Sequence, residues 1–213
     1  RLPTGNRRNK GLDRSNHLSV RQETMNQKHD LDRPNVVLIM ADDMGFSDIG
    51  PYGGEISTPN LERLASSGVR FSQMYNFARC CPSRAALLTG VYPHQAGVGH
   101  MNNEMPGIPG YQGYLNESCV TVAEVLRTRG YRTHISGKWH VGDVRGDPNL
   151  PPEMRRGFDR LFGMGLAGGG NYFNPAELWD NDKRYVDDSD DFYLTDQIAD
   201  HAVEMIDESV AMG

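Results

Sequence analysis

The sequence predicts an α/β fold: a sandwich in which helices cover a mixed, mostly parallel sheet. An aliphatic run, VVLIMA at residues 36–41, has the length of a strand and no polar alternation, as in a strand covered on both faces. Further strand-like segments alternate along the chain with helical segments that carry capping residues and terminal glycines. No apolar run approaches the ~18 residues of a membrane span.

The first half of the chain is predicted to contain two strands and one helix. Val36–Met40 is expected to form a buried strand, and the segment 69–77 a second one. Between them, a helix is predicted with Thr58 or Asn60 as its cap, and it is expected to end at Gly68.

The second half continues this alternation. The run PSRAALLTG predicts a short helix with Pro82 near its start and Gly90 after its end. The segment 118–137 predicts a helix, a stop at Gly130 and a strand, with Ser118 as a candidate cap. The last predicted helix has an apolar stripe at helical spacing: Ile198, Ala202, Met205 and Ile206.

Charge sets the beginning of the chain apart from the rest. The formal net charge is −6, yet the first 34 residues hold eight Lys and Arg against four acids. Residues 1–33 have few apolar residues and no aromatic ones, so we expect a disordered basic leader. Because the remainder is strongly acidic, a nucleic-acid partner is not expected.

Two adjacent carboxylates, Asp42 and Asp43, follow the first predicted strand. Ligands in α/β sheets bind beyond the carboxyl ends of strands, and hard carboxylate oxygens suit Ca²⁺ or Mg²⁺. The alternative interpretation of this pair is a solvated acidic turn.

Cys80 and Cys81 open the run CCPSR. The odd total of three cysteines argues against a disulfide framework. Zinc would require at least three soft or imidazole ligands, and only His94 and His100 lie near in sequence. A plain buried cysteine is the ordinary alternative. However, a residue at a helix start, with Arg84 about one turn further on, fits a nucleophile that attacks an oxyanion substrate.

A third candidate constellation follows the strand predicted before Gly137. Lys138 and His140 lie two residues apart, so in an extended segment they would point to the same side. One fixed cation and one titratable imidazole would suit an anionic substrate.

Together these segments resemble the sulfatase family, specifically the arylsulfatases, over roughly residues 34–210. PNVVLIMADDMGFSDIGPYGG, TPNLERLASSGVRF, CCPSRAALLTG and GKWHVG occur in the order of the family and at similar separations. The resemblance implies an alkaline-phosphatase-like sandwich. It also implies that residues 34–213 form the N-terminal portion of a truncated catalytic domain. Because further metal and sulfate ligands of the family cannot be mapped here, we expect little turnover from this chain alone.

The resemblance also implies roles for individual residues. Cys80 would be oxidised to Cα-formylglycine by a formylglycine-generating enzyme, and its hydrate would be the nucleophile; Cys81 would be the variable position of the motif. Asp42, Asp43 and the converted Cys80 would bind a divalent cation, usually Ca²⁺, with Mg²⁺ as the alternative.

Three further residues are implied to act on the charges of the reaction. Arg84 would stabilise the formylglycine hydroxyl and the charge of the metal site. Lys138 would bind a sulfate oxygen, and His140 would hydrogen-bond the hydroxyl that does not attack and help to remove its proton.

The implied function is a sulfuric ester hydrolase that acts on a sulfated small molecule or a sulfated glycan. The alternatives are a formylglycine-dependent phosphonate or phosphate ester hydrolase and a catalytically silent fragment. Sulfatases are commonly exported to the periplasm, the lysosome or the medium. This sequence shows no apolar signal segment, so the compartment stays open.

Overall fold

A computed structural model describes residues 33–101, 108–142, 151–165 and 170–212 of the chain. The predicted basic leader, residues 1–33, lies outside the described residues except for Arg33, which is exposed. The chain divides into two compact units, Arg1–Glu62 and Arg63–Gly213, and each is described by itself.

The described part of the first unit contains irregular segments, bends and short helices. Residues 33–40 have no regular secondary structure, so the predicted strand Val36–Met40 is wrong. The side chains of Val36, Val37, Leu38 and Ile39 are between 61% and 77% exposed. A strand is stable only when its backbone groups pair with a neighbouring strand, and the described part of this unit contains no strand that could serve. Aliphatic composition alone therefore misled the prediction.

Two short 3₁₀ helices, Phe46–Asp48 and Gly50–Tyr52, follow in the first unit. The Gly45 N–H donates to the Asp48 carboxylate at 2.6 Å, and the Gly50 N–H donates to the Thr58 hydroxyl at 2.9 Å. The Phe46 ring stacks on the Tyr52 ring with 4.1 Å between centroids. These local contacts fix the path of the chain just after Asp42 and Asp43.

Helix α1, Pro59–Ser67, confirms the helix predicted between Thr58 and Gly68. The strand predicted for the next segment, 69–77, is wrong: its residues are exposed and adopt bends and irregular structure. As with the first strand, β-branched and aromatic residues favour a strand only where a partner strand is present.

The sheet of the second unit has four strands in the order β1-β2-β3-β4. They are β1 (His134–Lys138), β2 (Arg160–Met164), β3 (Trp179–Asp180) and β4 (Lys183–Arg184). The first pair is parallel, and β3 and β4 join antiparallel to β2. The α/β class and the mixed sheet predicted from the sequence are thus confirmed.

Gly137 and Gly163 lie opposite each other near the carboxyl end of the parallel pair. A Cβ atom added to Gly163 would lie 1.8 Å from the backbone oxygen of Gly137. Since real Cβ atoms essentially never approach other heavy atoms below 3.0 Å, the two strands reach this separation only with glycine at position 163.

The described part of the second unit contains five further helices. They are α2 (Cys80–Thr89), α3 (Pro93–Ala96), α4 (Val122–Arg127), α5 (Pro152–Arg155) and α6 (Leu194–Met212). None of the described helices is both long and apolar enough to cross a bilayer. Helix α2 agrees with the prediction: Pro82 lies in its first turn, and Gly90 ends it with φ of 69°.

Helix α4 begins after Thr121 and not after Ser118, so the predicted cap is wrong. The Thr121 hydroxyl accepts the Glu124 N–H at 3.1 Å, and the Glu124 carboxylate accepts the Thr121 N–H at 2.6 Å. Thr121 also donates to the backbone oxygen of Arg156 at 2.7 Å. Ser118 instead donates to the Asn116 side chain at 2.7 Å. The helix ends at Arg127, three residues before the predicted stop at Gly130.

Two hydrophobic clusters form the core of this unit. The first gathers around α2 and the segment after β1 and contains Cys81, Ala85, Ala96, Val98, Leu115, Cys119, Ala123, Trp139, Val141 and Phe158. The second lies between the sheet and α6 and contains Phe162, Met164, Leu178, Phe192, Leu194 and Met205. In the predicted α6 stripe, Met205 is buried and Ile198 packs against this cluster, whereas Ile206 is 45% exposed.

Candidate active site

The turn that leads into α2 is fixed by backbone and side-chain hydrogen bonds. Ala78 adopts φ of 59°, and its N–H donates to the Asn76 side-chain oxygen at 2.7 Å. The buried Ser83 hydroxyl accepts the Phe77 N–H at 3.1 Å. The serine of the CCPSR run therefore holds the loop that delivers Cys80 to the first position of α2.

Cys80 and Cys81 begin α2 in different environments. Cys80 is half-buried, and its thiol lies 3.8 Å from the Met101 sulfur, whereas Cys81 is fully buried. All three cysteines of the chain are thiols. The first N–H groups of a helix have no intrahelical partner and the helix dipole is positive there, so anionic charge is favoured beside Cys80.

The segment after β1 forms the opposite wall of the site. Trp139 and His140 donate their backbone N–H groups to Met164 and Gly165 at 2.9 and 3.0 Å, which extends the parallel pairing beyond Lys138. The Trp139 ring is fully buried and packs edge-on against Phe158. The buried indole of Trp139 anchors this segment between the polar residues Lys138 and His140.

His140 departs from the extended conformation that the sequence predicts. Its φ is 56°, in the left-handed region, and its side chain is 5% exposed. Lys138, the last residue of β1, is half-buried. The alternation that would place both side chains on one side of an extended segment therefore does not apply at His140.

Arg84 connects helix α2 to the segment at the end of β1. Arg84 is 9% exposed, and its guanidinium donates from Nη1 to the backbone oxygen of Lys138. The sulfur atoms of Cys80 and Cys81 and a ring nitrogen of His140 all lie within 4.8 Å of one another. The structure therefore gathers Cys80, Arg84 and His140 at the N-terminus of α2, beside the carboxyl end of β1.

Cys81 also belongs to this cluster, which the sequence analysis did not anticipate. The motif indicates only that Cys81 follows the reactive position. Its proximity to His140 is a tertiary contact between a helix and the end of a strand far along the chain, and no local pattern signals it.

Asp42 and Asp43 lie in the first unit, and both are exposed. Asp43 adopts φ of 56°. The adjacent carboxylates are hard oxygen donors of the type that Ca²⁺ and Mg²⁺ take, so the donor set fits the predicted cation. Because Cys80 lies in the other unit, a shared metal site for these three residues stays a prediction.

The fold and the site together define a class of protein. An α/β sheet with a helix N-terminus, a guanidinium and an imidazole at the carboxyl end of a parallel strand is suited to binding oxyanions. The family model described as Sulfatase matches residues 34–211. The chain therefore belongs to the sulfatase family.

Individual relatives agree with this assignment. The chain is 41% identical to the arylsulfatase of Klebsiella aerogenes over 180 residues, covering 79% of this chain and 38% of that protein. It is 47% identical to human arylsulfatase A over 135 residues, covering 62% of this chain and 25% of that protein. The chain thus spans well under half the length of these curated relatives.

A solved structure matches the fold. Ps i-CgsB, determined in complex with k-i-k-neocarrahexaose, superposes with a TM-score of 0.70 at 34% identity. The match covers 84% of this chain and 42% of that one. The alkaline-phosphatase-like fold implied by the sequence resemblance is confirmed.

Proposed function

We propose that this chain supplies the nucleophile and part of the oxyanion-binding site of a sulfuric ester hydrolase of the arylsulfatase type. The observation that carries the proposal is the convergence of Cys80, Arg84 and His140 at the N-terminus of α2. Cys80 and Arg84 belong to the CCPSR motif, and His140 belongs to the GKWH motif. The chain that carries both motifs belongs to the sulfatase family.

The chemistry at position 80 is proposed to depend on two groups. As Cα-formylglycine, this position would supply a hydrated aldehyde as nucleophile, and Ca²⁺ or Mg²⁺ held by Asp42 and Asp43 would supply a Lewis acid. Half-burial of Cys80 supports the proposal, since a modifying enzyme and a substrate both require access to this side chain.

Arg84 is proposed to hold positive charge against the reacting group. Burial and the hydrogen bond to the Lys138 backbone oxygen keep the guanidinium in one place, so little reorganisation accompanies the reaction. A fixed charge in a poorly solvated site stabilises an anionic transition state more strongly than the same charge in water.

His140 is proposed to accept a proton, and Lys138 is proposed to bind a negatively charged oxygen. The His140 ring nitrogen, within 4.8 Å of the side chain at position 80, is positioned to accept a proton from a hydroxyl there. The Lys138 ammonium would bind a sulfate oxygen. Burial of Trp139 between them keeps both backbone positions fixed.

The proposed substrate is a sulfated small molecule or a sulfated glycan, and a formylglycine-generating enzyme is the proposed partner in maturation. The human and Klebsiella relatives are named arylsulfatases, and Ps i-CgsB was solved with k-i-k-neocarrahexaose. These relatives support a sulfate ester as the substrate class.

The proposal is tested by producing the protein with and without a formylglycine-generating enzyme. We expect the peptide that contains Cys80 to change mass from thiol to aldehyde only with that enzyme. We also expect p-nitrophenyl sulfate to be cleaved in preference to p-nitrophenyl phosphate esters. The assay is run on this 213-residue chain, in which we expect little turnover, and on the complete reading frame that encodes it.

Matched cysteine variants make the test specific. Cys80→Ser is expected to lower kcat at least ~1,000-fold, because serine can form the sulfate ester but lacks the second hydroxyl that would expel the sulfate. Cys119→Ser, at a cysteine in the same core cluster, should remain active. Preference for phosphate esters would replace the proposal with a phosphate or phosphonate hydrolase. A complete protein with an unmodified Cys80 and no turnover would identify a silent relative.

A further inference from the structure

A cluster of soft metal-binding atoms lies at the start of α2. The sulfur atoms of Cys80 and Cys81 and a ring nitrogen of His140 lie within 4.8 Å of one another. The sequence alone argues against zinc, because only His94 and His100 lie near the cysteines along the chain. The fold supplies a different imidazole from the end of β1, so the three ligands that zinc requires are present after all.

We propose that, while Cys80 is a thiol, this cluster binds Zn²⁺ through Cys80, Cys81 and His140, with a fourth position left open. The site is distinct in chemistry from the carboxylate pair Asp42 and Asp43, which suits a hard cation. The inference goes beyond the proposed function and does not rest on it, because it concerns the thiol form of the chain.

The separations fit a zinc ion after a small closure. Tetrahedral Zn²⁺ with ordinary Zn–S and Zn–N bonds holds its ligand atoms about 3.5 to 3.8 Å apart. The three atoms lie within 4.8 Å of one another, so no pair has to close by more than about 1.3 Å. Half-buried Cys80 provides the entry side, while Cys81 and His140 are buried.

The surroundings favour a soft cation bound by thiolates. Two thiolates and a neutral imidazole balance the charge of Zn²⁺. The Met101 thioether, 3.8 Å from the Cys80 sulfur, adds another soft atom. Among the described residues, no carboxylate belongs to the cluster.

Zinc binding and formylglycine formation exclude each other at this site. Conversion of Cys80 replaces its sulfur with an aldehyde oxygen and so removes one of the three ligands. Conversely, bound Zn²⁺ occupies the thiolate that any reagent must reach. Zinc would therefore protect Cys80 from alkylation and from conversion.

The test is a Zn²⁺ titration of the full 213-residue chain, produced without a formylglycine-generating enzyme, in competition with a chromophoric chelator. We expect one ion per chain, and roughly 100-fold weaker binding in Cys81→Ala and in His140→Ala. The controls are Cys119→Ala, at another buried cysteine of the same core cluster, and His100→Ala, at an exposed histidine. Both should bind as the unsubstituted chain does. Co²⁺ should show the thiolate charge-transfer band and the intense visible bands of a tetrahedral site.

The His140→Ala variant decides the matter, because adjacent cysteines also bind zinc weakly in an unfolded chain. A repeat titration in urea gives that unfolded reference. The proposal is wrong if His140→Ala binds zinc as tightly as the unsubstituted chain, or if Cys119→Ala loses as much affinity. Peptide mapping of Cys80 alkylation needs no variant: Zn²⁺ should slow it at least ~10-fold. An unchanged rate would overturn the proposal.

Discussion

Substitution of Gly163 by alanine should separate the two parallel strands β1 and β2, of which β1 leads into the candidate residues Lys138 and His140. The added Cβ would lie 1.8 Å from the Gly137 oxygen, and contacts below 3.0 Å are essentially not observed. The strands must therefore move apart by more than 1 Å. Neighbouring pairs such as Trp139 N to Met164 O, now 2.9 Å apart, would then exceed hydrogen-bonding distance.

The expected destabilisation follows from the bonds that are lost. Two or three backbone hydrogen bonds at about 1 kcal/mol each, with the packing around Trp139, give a loss of about 3–5 kcal/mol. A displacement of 1 Å at Lys138 and His140 should also lower kcat about 100-fold in the active protein. Urea unfolding measures the first effect, and p-nitrophenyl sulfate turnover the second.

Hydrogen exchange supplies the local readout. The amides of Trp139 and His140 should lose protection in Gly163→Ala, because their acceptors lie on the displaced β2 side. Gly170→Ala is the matched control, since its added Cβ meets nothing within 4 Å. A loss of less than about 1 kcal/mol in Gly163→Ala, with both amides still protected, would refute the steric argument.

Three further outcomes are expected. Thr121→Ala should lower the free energy of unfolding, measured by urea titration, by about 1–2 kcal/mol, because it removes the α4 cap and a buried hydrogen bond. The control Thr128→Ala removes an exposed hydroxyl and should change this free energy by less than about 0.5 kcal/mol. The pKa of His134 lies below its ordinary value of 6.5, chiefly through desolvation and then through Arg160. As pH falls, the unfolded chain therefore protonates His134 at a higher pH than the folded chain does. The free energy of unfolding should fall as pH drops below 6.5, and it should fall less in His134→Gln. Equal pH profiles of the two proteins would contradict this. Arg84→Lys should lower kcat/KM roughly 100-fold while position 80 is still converted, because an ammonium cannot reproduce the guanidinium geometry. Unchanged kinetics would show that Arg84 has no part in the reaction.

Four of the described helices, α1, α2, α4 and α6, are encoded locally and were predicted from the sequence, whereas the four-residue helices α3 and α5 were not predicted. Pro82 and Gly90 bracket α2 because proline suits a first turn and glycine accepts the left-handed conformation after the last. The error at α4 has the same local origin. Ser118 and Thr121 are both good caps, and only Thr121 has a glutamate three residues later that returns a hydrogen bond.

The strands and the composition of the site depend on contacts between distant segments. Val36–Met40 has strand-forming residues, yet its state depends on a partner strand that its own letters do not specify. Likewise, the motifs indicated Cys80, Arg84 and His140 separately, whereas the approach of Cys81 to His140 follows from how α2 packs beside β1. Such a contact has no signature in either segment alone.

The backbone stores local strain on both sides of the site. Ala78, two residues before Cys80, and His140 both adopt positive φ, which costs an L-residue roughly 1–2 kcal/mol. Glycine at either position would release that strain. Selection of variants for heat resistance alone should therefore enrich Ala78→Gly. The same change would make the turn before α2 more flexible, so it would raise thermal stability while placing Cys80 less accurately.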